Sequence, residues 1–142
     1  MNIRRLALKD YKGVMELWDR AQLPYKPKGR DNPDAVAKEM KTNPDFFIGA
    51  FEDNKLLGVA LLSSDMRRGW INRLAVDPEY RHHGIAERLI VESEKVLAKY
   101  GLRIFCALID DWNVPSKRLF KKCGYIEHNG LKYFSKRESD EV

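Results

Sequence analysis

Apolar residues recur at helical spacing in four stretches of the chain, and they run continuously or alternate in the stretches between. Val14, Leu17 and Trp18 share one face of a segment that Asp10 can cap and that runs to about Ala21. A second helix begins at Pro33, carries Val36, Ala37 and Met40 at the same period, and ends before Pro44. The longest helical stripe is Ile85, Ala86, Leu89, Ile90, Val96 and Leu97, from Gly84 to about Lys99, with Gly101 as its stop. A fourth helix spans Asn113 to Lys122 and is closed by Gly124. Between them lie strand-type runs: Ile3 to Leu8, Phe46 to Phe51, Leu56 to Leu62, Trp70 to Val76 and Arg103 to Ile109. Asn129-Gly130 predicts a final hairpin between Tyr125–His128 and Lys132–Ser135. Pro24, Pro27 and Gly29 make Leu23 to Asn32 a loop.

The alternation predicts an α/β (α+β) domain over residues 1–137, with 138–142 as a frayed tail. A chain of 142 residues, 44% of them hydrophobic, has enough apolar material for one core and is not disordered. No apolar run reaches the roughly 18 residues a membrane helix needs, and the start Met1-Asn2-Ile3-Arg4-Arg5 does not read as a secretory signal. Cys106 and Cys123 lack metal-ligand spacing and read as reduced thiols, so a cytoplasmic protein without metal is expected. The net charge of +5 invites a nucleic-acid reading. However, residues 1–69 carry 13 basic and 10 acidic side chains and residues 70–142 carry 13 and 11, so there is no basic arm. The one dense basic spot, Lys117, Arg118, Lys121 and Lys122, would serve a small anion as well as a polynucleotide.

The informative segment is Leu74-Ala75-Val76-Asp77-Pro78-Glu79-Tyr80-Arg81-His82-His83-Gly84-Ile85-Ala86, a strand, a turn, a glycine loop and then a helix. The first turn of a helix has unpaired N–H groups and the positive end of the helix dipole. Gly84 and Ala86 leave room for close approach of an anion, and Arg81 adds charge beside it. The same residues would also suit an ordinary strand-to-helix turn. Neither Gly-x-x-x-x-Gly-Lys-Ser/Thr nor Gly-x-Gly-x-x-Gly occurs, which argues against NTPase and Rossmann readings.

Arg81-x-x-Gly84-x-Ala86 resembles the Arg/Gln-x-x-Gly-x-Gly/Ala loop of the GNAT N-acetyltransferase superfamily, and the preceding Leu74 to Tyr80 resembles that family's strand and turn. Asn113 followed by Leu119-Phe120-Lys121-Lys122-Cys123-Gly124-Tyr125 is similar to its second signature, Asn…Leu-Tyr-x-Lys-x-Gly-Phe. The opening, Ile3-Arg4 with Asp10 heading a helix, fits as well, and the element order agrees over nearly the whole chain. The resemblance implies a single GNAT fold, with a mixed, mostly antiparallel sheet of six or seven strands and about four helices. It implies acetyl-CoA as co-substrate, with pyrophosphate on the backbone of Arg81, His82, His83, Gly84, Ile85 and Ala86. The pantetheine arm would pair with Leu74, Ala75 and Val76 and meet Asn113, and Lys117 could reach a phosphate.

The departures bear on mechanism. The family's tyrosine acid falls at Phe120, and two glutamates found in relatives fall at Leu108 and Asn72. Acyl transfer by direct attack still gains from proximity and a polarised carbonyl. Asn72 could orient a water that takes the proton, and Asp110 with Asp111 are the nearest carboxylates in sequence. Tyr25, Tyr80 and Tyr133 are hydroxyls that could stand in for the missing tyrosine. The expectation is acetyl transfer to a primary amine, small or protein-borne, by a monomer or homodimer without nucleic acid or membrane partners. The rival is a CoA-binding or regulatory module that keeps the fold with little catalysis.

Overall fold

The computed structural model describes every residue from Met1 to Val142. Its single sheet has the order β1 (Asn2–Arg5), β2 (Phe47–Glu52), β3 (Lys55–Ser64), β4 (Gly69–Val76) and β5 (Phe105–Cys106). All neighbours are antiparallel except β4 and β5, which are parallel. Asp53, in the left-handed region at φ 53°, turns β2 back into β3. Helices α1 (Tyr11–Arg20) and α2 (Pro33–Thr42) pack on one face, where Trp18, Val36 and Met40 surround Leu61. Helix α3 (Ile85–Lys99) covers the other face, and α4 (Val114–Lys122) follows β5. No helix is long and apolar enough to cross a membrane.

Two glycines set how closely α3 sits on the sheet. A Cβ on Gly58 would stand 2.9 Å from Leu89 and 3.1 Å from the Ala75 carbonyl oxygen; one on Gly69 would meet Leu97 at 2.7 Å. With no side chain at either place, Leu89, Ile90 and Leu97 become fully buried against β3 and β4. This holds the start of α3 close to the end of β4. The connection, a 3₁₀ turn at Pro78–Tyr80, is fixed by Asp77, which is 2% exposed. Its Oδ1 accepts the Glu79 N–H at 3.0 Å, and its Oδ2 meets Arg20 at 3.0 Å.

The helices and the first four strands match the spacing of the sequence to within a few residues at their ends; the last third of the sheet does not. Five strands form, not six or seven. The strand expected over Arg103 to Ile109 shrinks to Phe105–Cys106, because β5 is in register with β4 only at Gly69 and Trp70 before the two diverge. The expected hairpin at Tyr125–His128 and Lys132–Ser135 is absent, and Ile126, Leu131, Tyr133 and Phe134 are exposed. A hairpin needs a face to bury, and the divergence of β5 leaves these residues none. Asp10 also differs from expectation: α1 starts at Tyr11 with no side-chain cap. The Asp10 carboxylate instead accepts the Ala7 N–H at 2.8 Å and bonds from Arg4 at 3.1 and 3.3 Å. The tail at 138–142 rests on the first loop, where Lys26 Nζ donates to the Asp140 carbonyl.

Candidate active site

Strand β4 carries a bulge. Leu61 faces Asn72 and Val59 faces Ala75, so Arg73 and Leu74 together oppose one residue of β3. Arg73 takes a left-handed φ of 44°. One extra residue shifts the alternation of faces. Asn72 and Arg73 therefore both turn toward α1 and α2, whereas strict alternation would put Arg73 under α3. Beyond Trp70, β4 has no partner on its β5 side, so Leu74, Ala75 and Val76 present an open backbone edge.

The loop after β4 supplies donors. From Arg81 through Glu87 no backbone N–H finds an acceptor in the protein, and α3 has no side-chain cap. Helices α2 and α4 are capped, by Asn32 and Asn113. His82 (φ 66°) and Gly84 (φ 77°) are both left-handed, which curls the loop, and a Cβ on Gly84 would meet nothing within 4 Å. The side chains of Arg81, His82 and His83 are exposed and unpartnered, Ile85 is buried, and Ala86 is partly buried. This cradle is open, rich in donors and positive at its rim, and it suits a phosphate-bearing ligand.

The other candidates stand apart. Asn113 Oδ1 caps α4 by accepting the Ser116 N–H at 3.2 Å, which leaves its Nδ2 free. Lys117 Nζ donates to Asp111 at 2.7 Å, and that bond holds its pKa above the usual lysine value and that of Asp111 below the carboxylate value. Lys121 pairs with Glu127 at 3.3 Å and Lys122 with Glu87 at 2.7 Å. The basic spot is thus largely neutralised within the fold, with Arg118 left over. Asp110 is exposed and its carboxylate has no partner; no contact joins it to Asn72. The Asn72 Nδ2 donates to Ser63 Oγ at 2.9 Å, so its Oδ1 stays available.

Phe120 lies in the core, edge-on to Tyr125 at 5.0 Å, and Tyr125 donates to Glu94. Burial, then Glu94, push the Tyr125 hydroxyl far up. Tyr25 donates to Asp19, Tyr80 takes a bond from Lys55, and Tyr133 is exposed. The Tyr25 and Tyr80 hydroxyls are thus engaged within the fold, and Tyr133 is open to solvent.

One feature of the site was hidden in the sequence. Arg73, 14% exposed at its side chain, lies 2.5 Å from Asp31 in the first loop and 4.8 Å from the Trp18 ring centroid. The contact is ionic, since neither terminal nitrogen of Arg73 has hydrogen-bond geometry with a partner. Asp31 also accepts the Lys26 N–H at 2.6 Å, and its carbonyl takes the Tyr11 hydroxyl. The bulge thereby ties the α1–α2 loop to the strand beside the open edge. Only the bulge brings Arg73 to Asp31, and no local spacing announces it.

Known proteins are similar along nearly the whole chain. The model of the acetyltransferase (GNAT) family matches residues 11–125. An acetyltransferase of Photorhabdus laumondii is 30% identical over 138 residues, 96% of this chain and 95% of its own. One of Pectobacterium atrosepticum is 28% identical, covering 88% and 87%. Among solved structures, the Thermoplasma acidophilum PaiA N-acetyltransferase with coenzyme A superposes with a TM-score of 0.76 at 21% identity, covering 86% and 87%. AAC(6')-Iy with a bisubstrate analogue of CoA and acetylneamine gives 0.78 at 18% identity, covering 96% and 97%.

Proposed function

Since the chain belongs to the acetyltransferase (GNAT) family and is an N-acetyltransferase, we propose that it moves the acetyl group of acetyl-CoA to a primary amine by direct attack within a ternary complex. The observation that carries this reading is the run of free N–H groups from Arg81 to Glu87 next to the unpaired edge of β4. The loop amides and Arg81 hold the pyrophosphate, with the backbone of His82, His83, Gly84, Ile85 and Ala86 around it. Leu74, Ala75 and Val76 pair with the amide groups of the pantetheine arm, and Asn113 Nδ2 is a further donor to it. Lys117 adds only a distant charge, being engaged by Asp111.

The amine nitrogen bonds to the thioester carbon, the C–S bond breaks, and coenzyme A leaves as thiolate. The ammonium proton passes to a water held by Asn72 Oδ1 and out to solvent, where Asp110 can take it. The gain comes from holding the two reactants in line, and the β4 amides polarise the carbonyl.

Initial rates with acetyl-CoA and amine both varied, read by thiol release, test this directly. Intersecting lines are expected; parallel lines would show an acetyl-enzyme and overturn direct attack. The non-ionisable residues Phe120, Leu108 and Asn72 at the family's acid and base positions favour one second reading, a CoA-binding module with little catalysis. Tight acetyl-CoA binding without thiol release over a broad amine panel would establish that alternative.

A further inference from the structure

We propose that Arg20, the last residue of α1, is a positioning residue for the coenzyme: acting through Asp77, it sets the place of the donor cradle from Arg81 to Glu87. The inference rests on the acetyl-CoA reading above and deepens it, because it assigns part of the coenzyme affinity to a helix outside the loop.

The run from β4 to α3 has few fixed points. The Asp77 N–H donates to the Leu57 carbonyl at 2.8 Å, and the Tyr80 N–H donates to the Asp77 carbonyl at 2.9 Å. The Glu79 N–H donates to Asp77 Oδ1 at 3.0 Å. Pro78 has no N–H, and none from Arg81 to Glu87 is bonded within the protein. Every bonded backbone N–H of the connection is therefore held through Asp77. The other carboxylate oxygen, Oδ2, accepts from Arg20 Nε at 3.2 Å and lies 3.0 Å from its Nη2. The Asp77 side chain is only 4% exposed and has no other ion pair. A carboxylate so covered keeps its place while its charge and lone pairs are matched, and turns toward water when they are not.

Arg20 is a firm end for this link. Leu17 and Trp18 anchor α1 in the core, and the Ala21 and Leu23 N–H groups close the helix on their carbonyls, both at 2.9 Å. A cation in the last turn also suits the negative end of the helix dipole. Helix α1 lies on the sheet face opposite α3, so the cradle is held from two sides. Ile85 and Leu89 fix the start of α3 beneath the sheet, and the Arg20–Asp77 pair fixes the chain leaving β4 from across it. Between these anchors stand His82 and Gly84, both left-handed, with no bond of their own to define the curl. Loss of Arg20 frees Asp77 to leave Glu79, and the coenzyme must then order amides that the wild type presents already ordered.

The test titrates acetyl-CoA by calorimetry into wild type, Arg20→Gln, Arg20→Lys and Arg4→Gln. The last removes the Arg4–Asp10 pair at the far end of the sheet and serves as a control for general destabilisation. Arg20→Gln is expected to weaken binding about tenfold, the scale of ordering one backbone residue. Arg20→Lys recovers part of the loss, and Arg4→Gln binds as wild type does. In turnover, Arg20→Gln raises the KM for acetyl-CoA by a similar factor and changes kcat by less than about twofold, because the reacting atoms are untouched. In the free protein, amide resonances of Arg81–Glu87 move in Arg20→Gln and stay in Arg4→Gln. Affinity in Arg20→Gln equal to wild type, or an equal loss in Arg4→Gln, overturns the positioning role while leaving the coenzyme reading in place. Wild type that binds no acetyl-CoA overturns both.

Discussion

Arg73 and Asp31 show what a single pair contributes. Both are largely covered, and removing one partner leaves the other charge without compensation. Asp31→Ala is expected to destabilise by about 3–5 kcal/mol, read from urea midpoints. The double change Asp31→Leu with Arg73→Met should lose clearly less than the sum of the single changes, because no orphan charge remains. Additive losses would show that the pair does not couple. Gly84 belongs to the same scale. A side chain there meets no protein atom but must hold φ 77°, at a cost of about 1–2 kcal/mol. Gly84→Ala should thus fold, yet weaken acetyl-CoA binding by about tenfold or more, roughly 1.4 kcal/mol, measured by calorimetry. An unchanged affinity would remove the loop from the coenzyme site.

Among elements, the docking of α3 on β3 decides whether loop and strand edge stay adjacent. Gly58→Ala drives a Cβ against Leu89 and the Ala75 carbonyl. A loss of about 1–3 kcal/mol in thermal or chemical unfolding is expected from overpacking. At the other end of the sheet, Asp10 couples β1 to the start of α1. Burial alone would raise its carboxyl, but the bonds from Arg4 and Ala7 outweigh that and hold it below the usual carboxylate value. Its contribution is therefore present above the unfolded-state pKa, about 4, and lost as pH falls below it. Asp10→Asn should be less stable than wild type at neutral pH, with the two stability curves converging below about pH 3. A gap that stays constant on acidification would contradict this.

Elements also show where the sequence was readable. The loop Arg81 to Ala86 and the stripes of α1 and α3 are local patterns, so spacing alone located them. The bulge was not legible, since a period-two reading of Trp70 to Val76 sends Arg73 to the wrong face. The final hairpin failed for a non-local reason: Asn129-Gly130 is good turn chemistry, but the residues flanking it have no sheet to join.

For the whole molecule, the +5 charge changes meaning once the pairs are known. Lys117, Lys121 and Lys122 are balanced by Asp111, Glu127 and Glu87, which lie up to 35 residues away in sequence. The positive potential available to a phosphate comes instead from Arg81 and the unpaired amides ahead of α3. The fold thus divides its cations: the lysines of α4 are paired within the protein, while Arg81 and the free amides at the start of α3 stay available to a ligand. Titrating acetyl-CoA while following backbone amide resonances tests this division most directly. The account predicts saturable shifts concentrated at Leu74–Val76 and Arg81–Glu87, with one coenzyme bound per chain. Binding that leaves those amides unmoved, or no binding at millimolar concentration, would contradict it.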